Sequence, residues 1–259
     1  MKKLNVVVTA YNRPKYLYIT LDSIFRNKRI DEVDISVYID GGGDRQEEVI
    51  RETSNFNISK LYINYKNIGI LNSVMNSIRD SFYCGDYDEV FFLEDDHIIR
   101  KDTIDKILNT DFDGFFLSMS SCNGGKNVDY RPKGNVIKRS NFDILDEWIV
   151  GKKYTGLQRP NTDQALTEHP YNYDGVFYAF IKYNGFLSEF IDDYYVATFG
   201  IKGINSQNIT EEEKVIHERF FYGDKSRWLD NVVSVLSEQP DEHNGVNIDL
   251  WPGGGFNYQ

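Results

Sequence analysis

The sequence predicts an α/β fold with a mainly parallel central sheet flanked by helices. Across the first 120 residues, short apolar runs that suit buried strands alternate with stretches whose apolar residues recur at helical spacing. This alternation is typical of right-handed βαβ units, which build parallel sheets. The fourth apolar run, residues 90–93, leads directly into an acidic triplet, Glu94, Asp95 and Asp96. Because ligands of such sheets bind beyond the carboxyl ends of the strands, the acidic triplet is expected at the functional edge.

The elements of the first half follow from apolar periodicity and from the residues that interrupt it. Pro14 suits the first turn of a helix, where its missing N–H costs nothing. Three glycines after Asp40 allow the backbone to approach a ligand closely, but no Gly-Lys-Ser/Thr follows them, so they do not form a phosphate-binding P-loop. Strands are predicted over residues 5–10, 34–39, 60–65 and 90–93, and helices over residues 14–25, 46–52 and 70–78.

The second half of the chain is less regular. Residues 151–172 hold few periodic apolar positions and are predicted to form a long loop, which in a compact domain is often functional. No low-complexity linker divides the chain, so one continuous domain over residues 1–259 is expected. Strands are predicted over residues 113–118 and 175–180, and helices over residues 144–150 and 184–195.

Composition restricts the classes of partner. The formal net charge of −11 lacks the basic footprint of nucleic-acid binding, so a nucleic-acid partner is disfavoured. No apolar run approaches the roughly 20 residues of a membrane span, and the N-terminus lacks a signal-peptide hydrophobic region. Cys84 and Cys122 have no metal-type spacing and imply no disulfide framework. A reduced, cytoplasmic protein without a membrane span is the simplest interpretation.

Three consecutive carboxylates repel one another, and a bound cation relieves that repulsion. Mg²⁺ and Mn²⁺ prefer oxygen ligands and are often bound by one or two carboxylates together with substrate phosphates. Such a cation would also offset the repulsion between this acidic chain and an anionic substrate. Taken alone, the acidic triplet could also be a solvated turn at the end of a strand.

Four segments of the first half follow one another in a familiar order. They are residues 6–13 (Val-Val-Val-Thr-Ala-Tyr-Asn-Arg), Asp40-Gly41, Asn67-Ile68-Gly69 and the acidic triplet. They resemble the opening strand and Tyr-Asn-Arg turn, the nucleotide loop, the Asn-x-Gly segment and the Asp-x-Asp metal motif of the GT-A fold glycosyltransferases, in particular the large inverting family 2. The doubled Asp and the Ser/Thr of the nucleotide loop are missing, and Glu94 replaces the first Asp of the metal motif.

The resemblance continues downstream. The acidic triplet is also similar to that of the N-acetylglucosaminyltransferase I family, which shares the fold. Residues 185–193 resemble the Gly-Phe-Asp-Glu segment of family 2 and the Glu-Asp that follows it, and residues 200–202 resemble its small glycine turn. The resemblance thus covers residues 4–203.

This resemblance implies a GT-A (nucleotide-diphospho-sugar transferase) fold. The implied activity is a metal-dependent glycosyltransferase that moves a sugar from a nucleotide diphosphate, a UDP-sugar, to an acceptor hydroxyl with inversion. Residues 1–120 would bind the nucleotide sugar, and residues 121–259 would bind the acceptor and form the C-terminal tail. The implied nucleotide-binding residues are Thr9, Ala10, Tyr11, Asn12, Arg13, Asp40, Asn67, Gly69, Glu94 and Asp95.

The remaining implied roles belong to the base and the metal ligands. The acceptor hydroxyl must lose its proton as it attacks, and the implied base is Asp193, with Asp192 as the second candidate. Mn²⁺ or Mg²⁺ would be the cofactor, bound by Asp96 and His217. His243 competes for the role of His217.

Several alternatives stay open in the sequence. Asp163 and Asp174 are reserve candidates for the base, and His97 is expected to hydrogen-bond nearby backbone. A sugar-nucleotide nucleotidyltransferase would need a glycine-rich loop after the first strand, where residues 9–14 hold no glycine. A non-catalytic carbohydrate- or nucleotide-binding protein of the same fold is the other alternative. The acceptor could be a glycan, a lipid-linked sugar, a protein or, less favoured, a nucleic-acid base.

Overall fold

The regular elements of the first half lie close to their predicted positions. The computed structural model describes residues 2–119, 125–127, 130, 133–158, 165–167, 173–191 and 195–198. Its first strands are β1 (Leu4–Ala10), β2 (Asp34–Ile39), β3 (Lys60–Ile63), β4 (Glu89–Glu94) and β5 (His97–Ile99). The helices between them are α1 (Pro14–Phe25), α2 (Gln46–Thr53), α3 (Ile70–Gly85) and α4 (Thr103–Asn109), with a one-turn 3-10 helix at Ile30–Glu32.

The second half adds shorter strands and two long helices. The strands are β6 (Phe116–Ser118), β7 (Gly125–Asn127), β8 (Asn135–Lys138), β9 (Ser188–Phe190) and β10 (Val196–Thr198). The helices are α5 (Arg139–Val150) and α6 (Tyr173–Asn184). The predicted helix at residues 144–150 is therefore the second half of α5, and the predicted strand at residues 113–118 begins three residues late, at Phe116.

Two predicted elements of the second half are wrong. Residues 175–180, predicted as a strand, lie in α6, and residues 184–195, predicted as a helix, contain β9. A short, continuously apolar run cannot distinguish a buried strand from a buried helix by its periodicity. Gly185 follows α6 with a φ of +69°, a left-handed conformation that commonly ends helices. The chain then forms β9, which pairs with β6 and β7.

One sheet connects both halves of the chain. Its described strands lie in the order β3-β2-β1-β4-β8-β6-β9-β7. The four strands from the first half are parallel, whereas β8 is antiparallel to both of its neighbours, β4 and β6. β9 is parallel to β6, and β7 is antiparallel to β9. The predicted α/β class is confirmed, and the parallel character is concentrated in the first half.

Strand β1 is buried on both faces and separates two apolar layers. Val7 packs in the layer that α3, α5 and α6 cover, whereas Val6 and Val8 pack in the layer of α1, α2 and α4. This alternation is the period-two pattern of a parallel strand with helices on both sides. On α1, Leu17 and Leu21 are one turn apart and fully buried against this sheet. Within the described ranges, no helix combines the length and apolar character needed to cross a membrane.

Candidate functional site

The carboxyl ends of β1, β2 and β4 meet at one edge of the sheet. Thr9 and Ala10, the last residues of β1, pair with Glu94 of β4 and Ile39 of β2. The residues that follow these three strands therefore lie side by side. In this way the sheet gathers residues 11–13, Asp40 and the acidic triplet.

Asp40 fastens the loop after β2 to the segment that precedes α3. Its Oδ1 accepts hydrogen bonds from the backbone N–H groups of Gly41 (3.0 Å) and Ile68 (2.9 Å). Its Oδ2 accepts one from the Gly69 N–H (3.1 Å), which also donates to Asn67 Oδ1 (2.8 Å). Hydrogen bonds to an ionised acceptor are among the strong ones in proteins. The structure thus brings the predicted residues Asp40, Asn67 and Gly69 together.

Two positions of the glycine-rich loop pack too tightly to accept a side chain. A Cβ on Gly41 would lie 2.2 Å from the Asn64 carbonyl oxygen, and a Cβ on Gly43 would lie 2.7 Å from Asn12 Oδ1. The same Asn12 oxygen accepts a hydrogen bond from the Arg45 N–H (2.7 Å). The side chain of Asn12 therefore holds this loop in place beside the end of β1.

Arg13 bridges two members of the acidic triplet. Its guanidinium donates hydrogen bonds to Asp95 Oδ1 and to Asp96 Oδ2, the latter over 3.0 Å. The side chain of Asp95 is 3% exposed and that of Asp96 is 13% exposed, so both carboxylates rely on this cation. Burial favours the neutral form of Asp96, but the charge of Arg13, its hydrogen bond and the other favourable contacts of this carboxylate together outweigh burial and hold the pKa of Asp96 below its usual value. Burial also opposes the charge on Arg13, but the two carboxylates raise the pKa of that guanidinium.

One oxygen of the Asp95 carboxylate is buried without a hydrogen-bond donor among the described residues. Its Oδ2 is buried and has no hydrogen-bond partner in the part of the chain that the structure describes. Burial outweighs the charge of Arg13 here and raises the pKa of Asp95. Carboxylate oxygens are the ligands that Mg²⁺ and Mn²⁺ prefer, so the acidic triplet fits such a cation. Among the described residues, however, no three His, Cys, Asp or Glu side chains form a complete metal site.

The Glu94 side chain contacts Tyr173 of α6, in the layer that α3, α5 and α6 cover. The Tyr173 hydroxyl donates a hydrogen bond to Glu94 Oε1 over 3.0 Å. Burial, and then the charges of Asp96 and Asp174, raise the pKa of Glu94 well above its usual value. No sequence pattern indicates Tyr173, which lies 79 residues beyond Glu94 and at the edge of a segment predicted to be a loop. Next to Tyr173 in the sequence, only Asp174 is a candidate site residue.

His97 is buried and neutral below the acidic triplet. Its Nδ1 accepts a hydrogen bond from the Glu94 backbone N–H (3.1 Å), so the proton of the neutral ring is on Nε2. Burial lowers the pKa of His97 to about 4. Nε2 lies 3.9 Å from Asp96 Oδ1, beyond hydrogen-bond distance. The expectation that His97 hydrogen-bonds nearby backbone is confirmed.

Several predicted site residues lie outside the described part of the chain. These are Asp163, Asp192, Asp193, His217 and His243. Asp174, the other reserve candidate for the base, is described and lies in the first turn of α6. The base and the second metal ligand therefore stay predictions.

Comparisons with known proteins match both the sequence and the fold. Residues 5–184 match the model of glycosyl transferase family 2, whereas curated protein sequences give no match. The structure of S. aureus TarS 1–349 in complex with UDP-GlcNAc aligns with 12% identity and a TM-score of 0.52, over 90% of this chain and 71% of that chain. The mannosyltransferase PcManGT from Pyrobaculum calidifontis, in complex with GDP-Man and Mn²⁺, aligns with 13% identity and a TM-score of 0.51, over 91% and 74%.

The length of the match differs among these structures. Another structure of TarS 1–349 aligns with 14% identity and a TM-score of 0.49, over 75% of this chain and 59% of that chain. The chain thus spans less than two thirds of that relative. At such low identity, these structures show the fold of the chain but not its donor, cation or acceptor.

The sheet and these structures define the fold of the chain, which is the GT-A fold. The match over residues 5–184 shows that the chain belongs to glycosyl transferase family 2. The resemblance drawn from the sequence motifs and the predicted fold are therefore confirmed.

Proposed function

We propose that the protein transfers a sugar from a nucleoside diphosphate, a UDP-sugar, to an acceptor hydroxyl, with a divalent cation and with inversion at the anomeric carbon. One observation carries this proposal: Glu94 ends β4 and Asp96 follows it, at the same sheet edge as the loop that Asp40 fastens. TarS in complex with UDP-GlcNAc and PcManGT in complex with GDP-Man support a nucleotide-sugar donor.

The nucleotide would bind between the end of β1 and the start of α3. Tyr11 is 39% exposed, so its side chain is partly accessible to a nucleotide base. A Cβ on Gly69 would meet no atom within 4 Å, so the space at the start of α3 is open. We assign Asp40 and Asn67 to the α3 side of this nucleotide site, and Thr9, Ala10, Asn12 and Arg13 to its β1 side, as the sequence motifs imply.

Asp96, with Glu94 beside it, would hold Mn²⁺ or Mg²⁺, and His217 would be a further ligand. When bound, the cation would neutralise the charge that develops on the diphosphate leaving group. Mg²⁺ and Mn²⁺ commonly combine one or two carboxylates with substrate phosphates, so the incomplete set of ligands among the described residues suits this role. The Mn²⁺ in the PcManGT complex supports this choice of metal.

The base would come from the second half of the chain. Asp193, with Asp192 as the second candidate, would take the proton of the acceptor hydroxyl as its oxygen attacks the anomeric carbon. Direct attack of this kind inverts that carbon. Residues 121–259 would provide the acceptor site, and the acceptor and the sugar are left open by this proposal. The single domain, its division near residue 120 and the cytoplasmic location stay predictions from the sequence.

Calorimetry with nucleoside diphosphates tests the proposal. We expect one member of a panel of UDP, GDP, ADP, CDP and dTDP to bind the wild-type protein in the presence of Mn²⁺, and we expect Asp96→Ala to abolish that binding. Asp111→Ala is the matched control, because its carboxylate is 94% exposed and pairs with Lys2, which precedes β1 and so lies at the opposite end of this strand from the acidic triplet. Failure of every nucleotide to bind, with Mn²⁺ or with Mg²⁺, would contradict the proposal.

A further inference from the structure

Tyr173 is a buried tyrosine whose hydroxyl reaches the donor edge of the sheet. It is the first residue of α6 and is 2% exposed. Its ring packs edge-on against Phe92 of β4 and Phe177 of α6, with centroids 6.4 and 5.2 Å away. Phe92 and Glu94 lie two residues apart on β4 and therefore on the same face of the sheet, so Tyr173 contacts both. A phenylalanine would fill this aromatic site equally well, so packing alone does not explain the hydroxyl.

The hydroxyl of Tyr173 lies among buried polar groups. It donates a hydrogen bond to Glu94 Oε1 over 3.0 Å. The hydroxyl of Tyr130, which is also buried and interacts electrostatically with Tyr173, accepts a hydrogen bond from Asn135 Nδ2 of β8 (3.4 Å). Buried polar groups cost free energy unless they are hydrogen bonded. The bond from Tyr173 to Glu94 therefore ties the second half of the molecule to the acidic triplet.

Glu94 needs such an anchor because its surroundings repel it. The negative charges of Asp96 and Asp174 both act on its carboxyl group. Arg13 is hydrogen bonded to Asp95 and Asp96, and in the described part of the chain Tyr173 is the side chain that donates to Glu94. No described residue donates to the second oxygen, Oε2, and Glu94 as a whole is only partly buried. One oxygen is thus fixed, and the other is left for a ligand.

We propose that Tyr173 is a positioning residue: its hydroxyl fixes Glu94 so that Oε2 accepts a hydrogen bond from the bound nucleotide or from a water on its cation. This inference rests on the proposed function, because it needs a nucleotide at this edge. Without the hydroxyl, Glu94 rotates away from Asp96 and Asp174, and its contact with the ligand is lost. Tyr173 acts through Glu94 and does not itself touch the ligand.

A double-mutant cycle tests this role, with the dissociation constant of the nucleoside diphosphate and Mn²⁺ as the readout. We expect Tyr173→Phe to weaken binding roughly tenfold, the size of one well-placed hydrogen bond. Glu94→Gln is expected to weaken it at least as much. If Tyr173 acts through Glu94, the double variant binds no more weakly than Glu94→Gln alone, because the two effects are not additive.

Tyr87→Phe is the matched control. Tyr87 is also buried, and its hydroxyl donates to the Asp34 carboxylate over 2.8 Å. Asp34 begins β2, so this pair lies at the opposite edge of the sheet from the acidic triplet. Tyr87→Phe should lower the unfolding temperature about as much as Tyr173→Phe and leave the dissociation constant unchanged. Tyr130→Phe, which removes the neighbouring buried hydroxyl and keeps its ring, should weaken binding about threefold.

Each other outcome decides against the inference in a different way. Wild-type affinity in Tyr173→Phe, or equal losses in Tyr173→Phe and Tyr87→Phe, overturns the positioning role and leaves the proposed function intact. Additive losses in the double variant show that Tyr173 acts elsewhere. If the wild-type protein binds no nucleotide with Mn²⁺, the proposed function fails and the positioning role fails with it. If Tyr173→Phe does not fold, Tyr130→Phe decides, and wild-type affinity in that variant overturns the role.

Discussion

Replacing Arg13 with methionine tests whether this residue stabilises the acidic triplet. Methionine keeps most of the volume and the apolar stem of the side chain, but it removes the cation that is hydrogen bonded to Asp95 and Asp96. The carboxylates of Asp95 and Asp96 would then lie close together and largely buried, without a positively charged partner among the described residues. The substitution should therefore destabilise the folded protein and alter the charge of the donor edge.

The structure gives the size of this effect. At 3.0 Å, the attraction between Arg13 and Asp96 is about 5 kcal/mol if the effective dielectric constant is about 20. Breaking a fully buried ion pair typically costs about 3 to 5 kcal/mol. The Arg13 side chain is 35% exposed, so solvent screens part of this interaction. We expect Arg13→Met to lower the free energy of unfolding by about 2 to 3 kcal/mol at neutral pH.

The loss should also depend on pH. In the wild-type protein, Arg13 opposes the effect of burial on both carboxylates and holds the pKa of Asp96 below its usual value. Without Arg13, burial and mutual repulsion raise the native pKa values of the pair above the unfolded value of about 3.9. A carboxyl group whose pKa is higher in the folded than in the unfolded protein destabilises the folded state increasingly as the pH rises from the unfolded to the folded pKa. The deficit of Arg13→Met should therefore be smaller at pH 5 than at pH 8.

Urea unfolding at pH 5 and pH 8 measures this prediction, with Arg29→Met as the control. Arg29 also donates to two carboxylates, Glu32 and Asp105, but these groups are at the surface. The control should therefore change stability much less and show little dependence on pH. Equal losses for the two variants, or a deficit for Arg13→Met that does not change with pH, would refute the electrostatic reasoning.

Two further predictions concern the glycine-rich loop. Asp40→Asn turns an acceptor into a donor that faces backbone N–H groups, so it should cost about 1 to 2 kcal/mol in urea unfolding and weaken nucleotide binding in calorimetry. Asp44→Asn, a matched substitution at an exposed position, should change neither the stability nor nucleotide binding. Gly41→Ala would place a Cβ 2.2 Å from the Asn64 carbonyl oxygen, so the loop must shift at a cost of about 2 to 3 kcal/mol. Gly151→Ala, whose Cβ would lie 3.3 Å from its nearest neighbour, should be tolerated in the same urea assay.

The sequence predicts the first half of the fold well because the information there is local. Apolar spacing and Pro14 define α1 over the residues that the structure shows, and the strand ends place the triplet and Asp40 at one edge. The contacts that shape the site are not local. Arg13 and Asp95 are 82 residues apart, and Tyr173 and Glu94 are 79 residues apart. No periodicity within a strand or a helix encodes such pairs, so they appear only when the sheet and α6 are in place.

The glutamate at position 94 illustrates how a departure from a family motif can be understood from structure. The resemblance to family 2 predicts an aspartate at position 94. The glutamate found there leaves open the alternative of a non-catalytic binding protein of the same fold. In the structure, Glu94 uses its length to reach the Tyr173 hydroxyl at 3.0 Å. An aspartate is shorter by one carbon–carbon bond, about 1.5 Å, and could not make this hydrogen bond without movement of β4 or α6. The glutamate and the buried tyrosine therefore form a matched pair, and this pairing favours a retained role for Glu94 over the loss of the site.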